Sequence, residues 1–152
     1  GHTPGHISLY RGRDKVLIAG DAFVTTKQEA LSSIITQRKQ VSGPPKYFTP
    51  NWLAAALSVK KLKDLRPEVA ATGHGMPMYG AELIAGLDEL ANNFKELAIP
   101  NTGRYVNEPA KTNKQGVQHL PPAPLSKTLL IAVVALSAAV AFSIVRKAKR
   151  GY

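Results

Sequence analysis

Two short apolar runs, each cut off by a glycine beside a potential metal ligand, dictate the architecture open to this chain. Lys15-Val16-Leu17-Ile18-Ala19 carries a continuous apolar run of strand length and ends at Gly20-Asp21. Glu68-Val69-Ala70-Ala71-Thr72 reads as a second short strand, closed by Gly73-His74-Gly75. Ahead of them Ile7-Ser8-Leu9-Tyr10 alternates in the manner of a half-buried strand, and Arg11-Gly12-Arg13-Asp14 supplies a turn. The expectation is a β-hairpin whose second strand is deeply buried.

Helical spacing fills the intervals. Thr49-Pro50 reads as an N-cap followed by proline at the first helical position. Trp52, Ala56, Val59 and Leu62 then recur at helical period, joined by Leu53, Leu57 and Leu65, until Arg66-Pro67 stops the helix. A second helix is expected from about Ala81 to Leu97, with Leu83, Ile84, Leu87, Leu90, Ala91, Phe94 and Leu97 forming a wide apolar stripe that a sheet must cover. Between residues 22 and 48, Ala30, Leu31, Ile34 and Ile35 could line a short helix ended by Gly43-Pro44-Pro45. The fold class is therefore mixed α/β (α+β).

Beyond Pro100 the composition changes. Residues 101–127 read as a polar, proline-bearing linker, in which Pro121-Pro122-Ala123-Pro124 is a stiff spacer. Residues 128–145 carry no charge, and 18 helical residues span about 27 Å, close to the bilayer's hydrocarbon thickness of about 30 Å. This run is expected to be a single transmembrane helix, followed by a basic tail at residues 146–152. The lipid bilayer is thus an expected partner, and the tail favours a cytoplasmic C-terminus.

The formal charge of +10 invites a nucleic-acid reading, which its distribution argues against. Residues 1–100 hold 12 Lys/Arg against 9 Asp/Glu, whereas residues 101–152 hold 8 against Glu108 alone. The excess lies beside the apolar run, where anionic lipid is the natural counter-charge. No nucleic-acid partner is expected. The chain has no cysteine, so any bound metal must sit on histidine, carboxylate, carbonyl or water.

Three segments can carry chemistry: Gly1-His2-Thr3-Pro4-Gly5-His6, Ala19-Gly20-Asp21-Ala22 and Thr72-Gly73-His74-Gly75. Each places a potential ligand in a glycine-bearing loop beside a strand, and neutral imidazole with carboxylate is the donor set of catalytic zinc-type sites. Spacing alone does not establish a site. A lone loop histidine is more often a surface or hydrogen-bonding residue, and an aspartate there is more often a cap. Pro4-Gly5 makes a helix between His2 and His6 implausible, so those two need not converge. His119 stands in the linker without an evident partner.

Gly1-His2-Thr3-Pro4-Gly5-His6-Ile7-Ser8, Ala19-Gly20-Asp21-Ala22-Phe23 and Ala71-Thr72-Gly73-His74-Gly75 together resemble the metallo-β-lactamase superfamily, its glyoxalase II and lactonase-like branch in particular. The resemblance covers roughly residues 1–100. It implies the second half of a four-layer αββα sandwich, with two divalent metal ions, zinc by preference. His2 would ligate one ion, Asp21 would bridge both and orient the water between them, and His74 would ligate the second. His6 would be an outer residue that orients the loop. Phe23 and Tyr47 are candidates for the substrate border, although nothing in the sequence fixes a substrate-binding residue.

One departure is large: the family's His-x-His-x-Asp-His motif, which supplies most of the ligands, is absent. The expectation is that it lies upstream of Gly1, in an N-terminal half of the same domain that would be a partner of residues 1–100. Without it the site is incomplete, and residues 1–100 alone should be poorly stable. The reaction implied is metal-dependent hydrolysis of a small-molecule ester, thioester or lactone by a metal-bound hydroxide. The alternatives are a non-catalytic membrane-tethered remnant or binding module, and a nuclease or β-lactamase of the same superfamily.

Overall fold

The computed structural model describes residues 1–26, 39–124, 131 and 135–137. The chain divides into a compact unit Gly1–Pro122 and a second unit Ala123–Tyr152. In the first, strands β1 (Leu9–Arg11), β2 (Val16–Gly20), β3 (Val69–Thr72) and β4 (Met78–Tyr79) form one sheet in the order β1-β2-β3-β4. The helices are α1 (Trp52–Asp64), α2 (Gly80–Asn92) and the short α3 (Phe94–Ala98).

β1 and β2 are the expected antiparallel hairpin, in register Leu9↔Ile18 and Arg11↔Val16. Its turn is clasped by a 2.8 Å ion pair between Arg11 and Asp14. β2 then pairs parallel with β3, Leu17 opposite Ala70, with an irregularity between Ile18 and Gly20. That parallel pair brings the two glycine-terminated strand ends side by side, and the Gly73 N–H donates to the Gly20 carbonyl at 2.9 Å.

Strand β2 is not buried on both faces. Leu17 and Ala19 are fully enclosed, but Ile18 between them is 54% exposed, as is its neighbour Leu9 at 57%. Successive strand side chains point to opposite faces, and helices cover only the Leu17–Ala70–Met78 face among the described residues. Trp52, Ala55 and Val59 of α1 and Leu83, Leu87 and Leu90 of α2 supply that cover. The Trp52 and Phe94 rings close it at 6.5 Å.

Both helices depart from their expected outlines. Asn51, not Thr49, caps α1, its side-chain oxygen accepting the Ala54 N–H at 2.9 Å. Leu53, Leu57 and Leu65 face outward rather than inward. The expected single helix over 81–97 breaks at Asn93, whose side chain and backbone N–H both donate to the Glu89 carbonyl. The break changes the phase, so Ala98 is buried and Leu97 is 45% exposed.

Part of the stretch read as a linker is folded. Strands β5 (Lys111–Asn113) and β6 (Gly116–His119) pair as a hairpin, Tyr105 packs on the core, and the Ala110 N–H donates to the Pro50 carbonyl. His119 has a partner after all, Glu108 at 3.4 Å. The unit boundary falls inside Pro121-Pro122-Ala123-Pro124. In the second unit Ile131 and Ala135-Leu136-Ser137 are helical. The rest of the expected span 128–145, the basic tail and the candidate helix at Ala30–Ile35 lie outside the described residues. Among the described residues no helix is long and apolar enough to cross a membrane.

Candidate metal centre

The site is built where β2 and β3 end. Asp21 follows β2 directly, His74 follows β3, and the loop before β1 folds His2 and His6 against them. The Asp21 carboxylate lies between two imidazoles: Oδ2 is 3.4 Å from His2 Nε2, and Oδ1 is 3.6 Å from His74 Nε2. Two donors about 2.1 Å from a shared ion at a tetrahedral angle stand roughly 3.4 Å apart. The three side chains named by the sequence are therefore adjacent, and each histidine meets a different carboxylate oxygen.

His6 has a separate task. Its Nε2 accepts the Asp21 backbone N–H at 2.8 Å, and the His6 backbone N–H donates to the Thr3 carbonyl. Gly20 makes this possible. It adopts a left-handed φ of 55°, and a side chain there would run into the His6 ring. Gly73 clears the other side, since a Cβ on it would overlap Asp21 Oδ1.

Two observations bear on whether a cation fits. Asp21 Oδ1 is buried and has no hydrogen-bond partner, which is costly for a carboxylate oxygen. The donors around it, two imidazoles and one carboxylate, are hard to borderline ligands suited to a divalent ion. Against that, among the described residues no group of three or more His, Cys, Asp or Glu side chains closes around a single ion. The residues fit as part of a site, with donors left to be supplied.

Burial separates the two histidines. His2 is 9% exposed, and desolvation holds its imidazole below the ordinary histidine range, with Asp21 acting in the opposite direction. His74 is half exposed. Its loop is held by threonines: Thr72 Oγ1 donates to the His74 carbonyl at 2.8 Å, and the Thr25 N–H reaches the same carbonyl at 3.1 Å. On the His2 side, Nδ1 lies 3.3 Å from the buried Thr49 hydroxyl. Sequence reasoning missed all three threonines. Thr72 lies within the His74 motif, where only its hydroxyl's role went unread, whereas Thr49 is 47 residues from His2 and carries no local signal.

The two candidates for a substrate border part company. Phe23 is fully buried in the core. Tyr47 is 87% exposed and lines a cavity of about 540 Å³ with Trp52, Arg104 and Tyr105. A smaller cavity of about 200 Å³ opens beside His2, His6, Ser8 and Ala22.

Residues 1–74 match the sequence pattern of the Metallo-beta-lactamase superfamily, a match that supports membership of that superfamily. The chain is 48% identical over 97 residues to the probable metallo-hydrolase YflN of Bacillus subtilis (strain 168), which covers 64% of this chain and 37% of that protein. It is 40% identical over 75 residues to the uncharacterized protein YobT of the same organism, covering 49% and 31% of the two chains. The chain thus spans about a third of the length of these curated relatives. A metallo-beta-lactamase family protein from Thermus thermophilus aligns at a TM-score of 0.39 and 24% identity, over 62% of this chain and 28% of that one.

Proposed function

We propose that this chain supplies one half of the metal centre of a hydrolase acting on a small ester, thioester or lactone. The observation that carries the reading is the Asp21 carboxylate between two imidazoles, with its buried Oδ1 lacking a hydrogen bond. In this reading His2, Asp21 and His74 would help to hold two divalent ions, zinc by preference, His2 serving one, His74 the other and Asp21 both. His6 fixes the Asp21 backbone, and Gly73 leaves the carboxylate room.

Bound divalent ions of this kind lower the pKa of a water ligand and polarise a scissile carbonyl. The chain's own residues do the rest. Asp21 orients a water held near its carboxylate, and the enclosure of His2 excludes bulk solvent from one side. The 200 Å³ cavity beside His2 is of a size for a small acyl group, and Tyr47 borders a separate, larger cavity.

The remaining ligands would come from an N-terminal half of the same domain. Supporting this are the exposed apolar face carrying Leu9 and Ile18, and the length of the relatives. A strand apolar on both faces belongs between two layers, and a second sheet would cover it. Membrane attachment through residues 128–145 is part of the same proposal and rests on the uncharged run in the sequence. A second reading, a non-catalytic tethered module, draws on the incomplete ligand cage of the described residues.

The test is metal stoichiometry and turnover of ester, thioester and lactone substrates by the protein purified from its native source, with and without Asp21→Ala. Loss of both metal and turnover supports the hydrolase. Full metal loading and full turnover in Asp21→Ala overturns it, and a native protein with neither metal nor turnover establishes the tethered module.

A further inference from the structure

We propose that Thr49 is a positioning residue that fixes the tautomer of His2, leaving the bare Nε2 to face Asp21 and so keeping the gap between them open to a cation. The inference rests on the metal-site reading above and deepens it, because it names what makes His2 a ligand rather than a hydrogen-bond donor.

The argument is an accounting of hydrogens. Thr49 is fully buried, and its hydroxyl lies 2.8 Å from the Pro45 carbonyl oxygen. A carbonyl has no hydrogen to give, so the single hydroxyl hydrogen of Thr49 is committed to it. Among the described residues the other hydrogen-bonding neighbour of Thr49 Oγ1 is His2 Nδ1, at 3.3 Å. With the hydroxyl hydrogen spent, Oγ1 presents a lone pair, and Nδ1 must be the donor. A neutral imidazole carries one N–H, so Nε2 keeps its lone pair.

That lone pair points at another. His2 Nε2 lies 3.4 Å from Asp21 Oδ2, and a carboxylate only accepts. Two acceptors facing each other at this distance repel unless a positive charge stands between them. The opposite tautomer would turn Nε2–H toward Asp21, satisfy the carboxylate directly and close the gap. Metal-binding histidines ordinarily donate their second ring nitrogen to a fixed acceptor, and disturbing that acceptor typically costs 10–100-fold in metal affinity.

Thr49 is free for this work because the helix does not need it. Asn51 caps α1, and the Thr49 side chain points back to the turn Lys46–Phe48. The Phe48 N–H donates to the same Pro45 carbonyl at 3.2 Å, which anchors the acceptor end of the relay. The relay thus runs from His2 Nδ1–H to Thr49 Oγ1–H to Pro45 C=O, all in buried or part-buried surroundings.

The full chain, labelled with ¹⁵N, decides the matter by long-range ¹⁵N–¹H spectra of its four histidines at a pH where the rings are neutral, with His2 assigned from His2→Gln. The expected result is Nδ1–H at His2 in the unaltered chain and in Thr49→Ser, and Nε2–H as the main form in Thr49→Val. Cobalt(II) titrations should follow, with affinity at this site falling 10–100-fold in Thr49→Val and returning in Thr49→Ser. Nε2–H at His2 in the unaltered chain overturns the proposal without recourse to any variant. So does a Thr49→Val protein that keeps both the Nδ1–H form and the unaltered cobalt affinity. Nδ1–H in the unaltered protein with no cobalt uptake, when its native-source counterpart also holds no metal, instead overturns the metal-site reading while the tautomer assignment stands.

Discussion

The Asp21 backbone N–H donates to Nε2 of His6 at 2.8 Å, so the histidine that shares a loop with His2 spends its lone pair on protein rather than on an ion. This one bond separates two residues that look alike in sequence. It also ties the strand-end loop of β2 to the loop preceding β1, which sets the height at which Asp21 meets His2. Replacing His6 by Phe should leave that N–H unpaired at a cost of about 1–3 kcal/mol. The loss should be read by urea unfolding, and metal uptake should weaken with it.

Gly73→Ala should act on the carboxylate alone. The glycine does not need a left-handed backbone, and the three atoms nearest to an added methyl all belong to the Asp21 carboxylate. Metal affinity should therefore drop while the far-ultraviolet dichroism is unchanged. In the Asp21→Ala background the same change should have little further effect. A double-mutant cycle checks this, with a coupling near zero counting against the direct clash.

Stability should fall as pH drops below about 6.5, the value for a histidine in an unfolded chain. Burial holds His2 below that value in the fold, Asp21 opposing. Between the two pKa values the unfolded chain binds the proton and the folded one does not, so acid favours unfolding there. The contribution is present above the unfolded pKa and lost as pH falls toward the folded one. His2→Gln should flatten this part of the profile, measured as urea midpoints from pH 7.5 to 5.

Phe23→Ala should cost about 3–5 kcal/mol by opening a cavity in the core. Its place two residues after Asp21 suggests a substrate contact, but its full burial assigns it to packing. At temperatures where the variant stays folded, KM should be unchanged. A raised KM with normal stability would reverse the assignment.

The three side chains that the fold brings side by side, His2, Asp21 and His74, stand out in the sequence before any fold is known. His2, Asp21 and His74 sit in glycine-bearing loops at strand ends, and that local chemistry is written in consecutive residues. The hairpin, the β3 strand and both main helices follow from period and punctuation in the same way. What failed was anything that depends on a distant partner. Leu53 and Leu57 carry the same apolar signal as Val59, and only packing tells which face is covered. Asn93 was read through because a helix period persists across it, while its side-chain bond to Glu89 ends the helix. Residues 111–119 are polar and were read as linker, because a solvent-facing hairpin has no apolar pattern to reveal it. Thr49 was misassigned to the helix for want of any sign that His2 lies against it.

The parallel pairing of β2 with β3 joins residues some 50 positions apart, with α1 formed in between. Closing so long a loop carries an entropic cost that local elements such as the β1–β2 hairpin escape, and non-local strand pairing is slow to nucleate. Asp21 and His74 therefore come within reach of one another only after that closure. During synthesis the three side chains emerge in the order His2, Asp21, His74, and the last arrives after α1 has left the ribosome. On the reading proposed above, an ion would meet a finished cradle rather than a nascent chain, and loading would be a late event in the life of the protein.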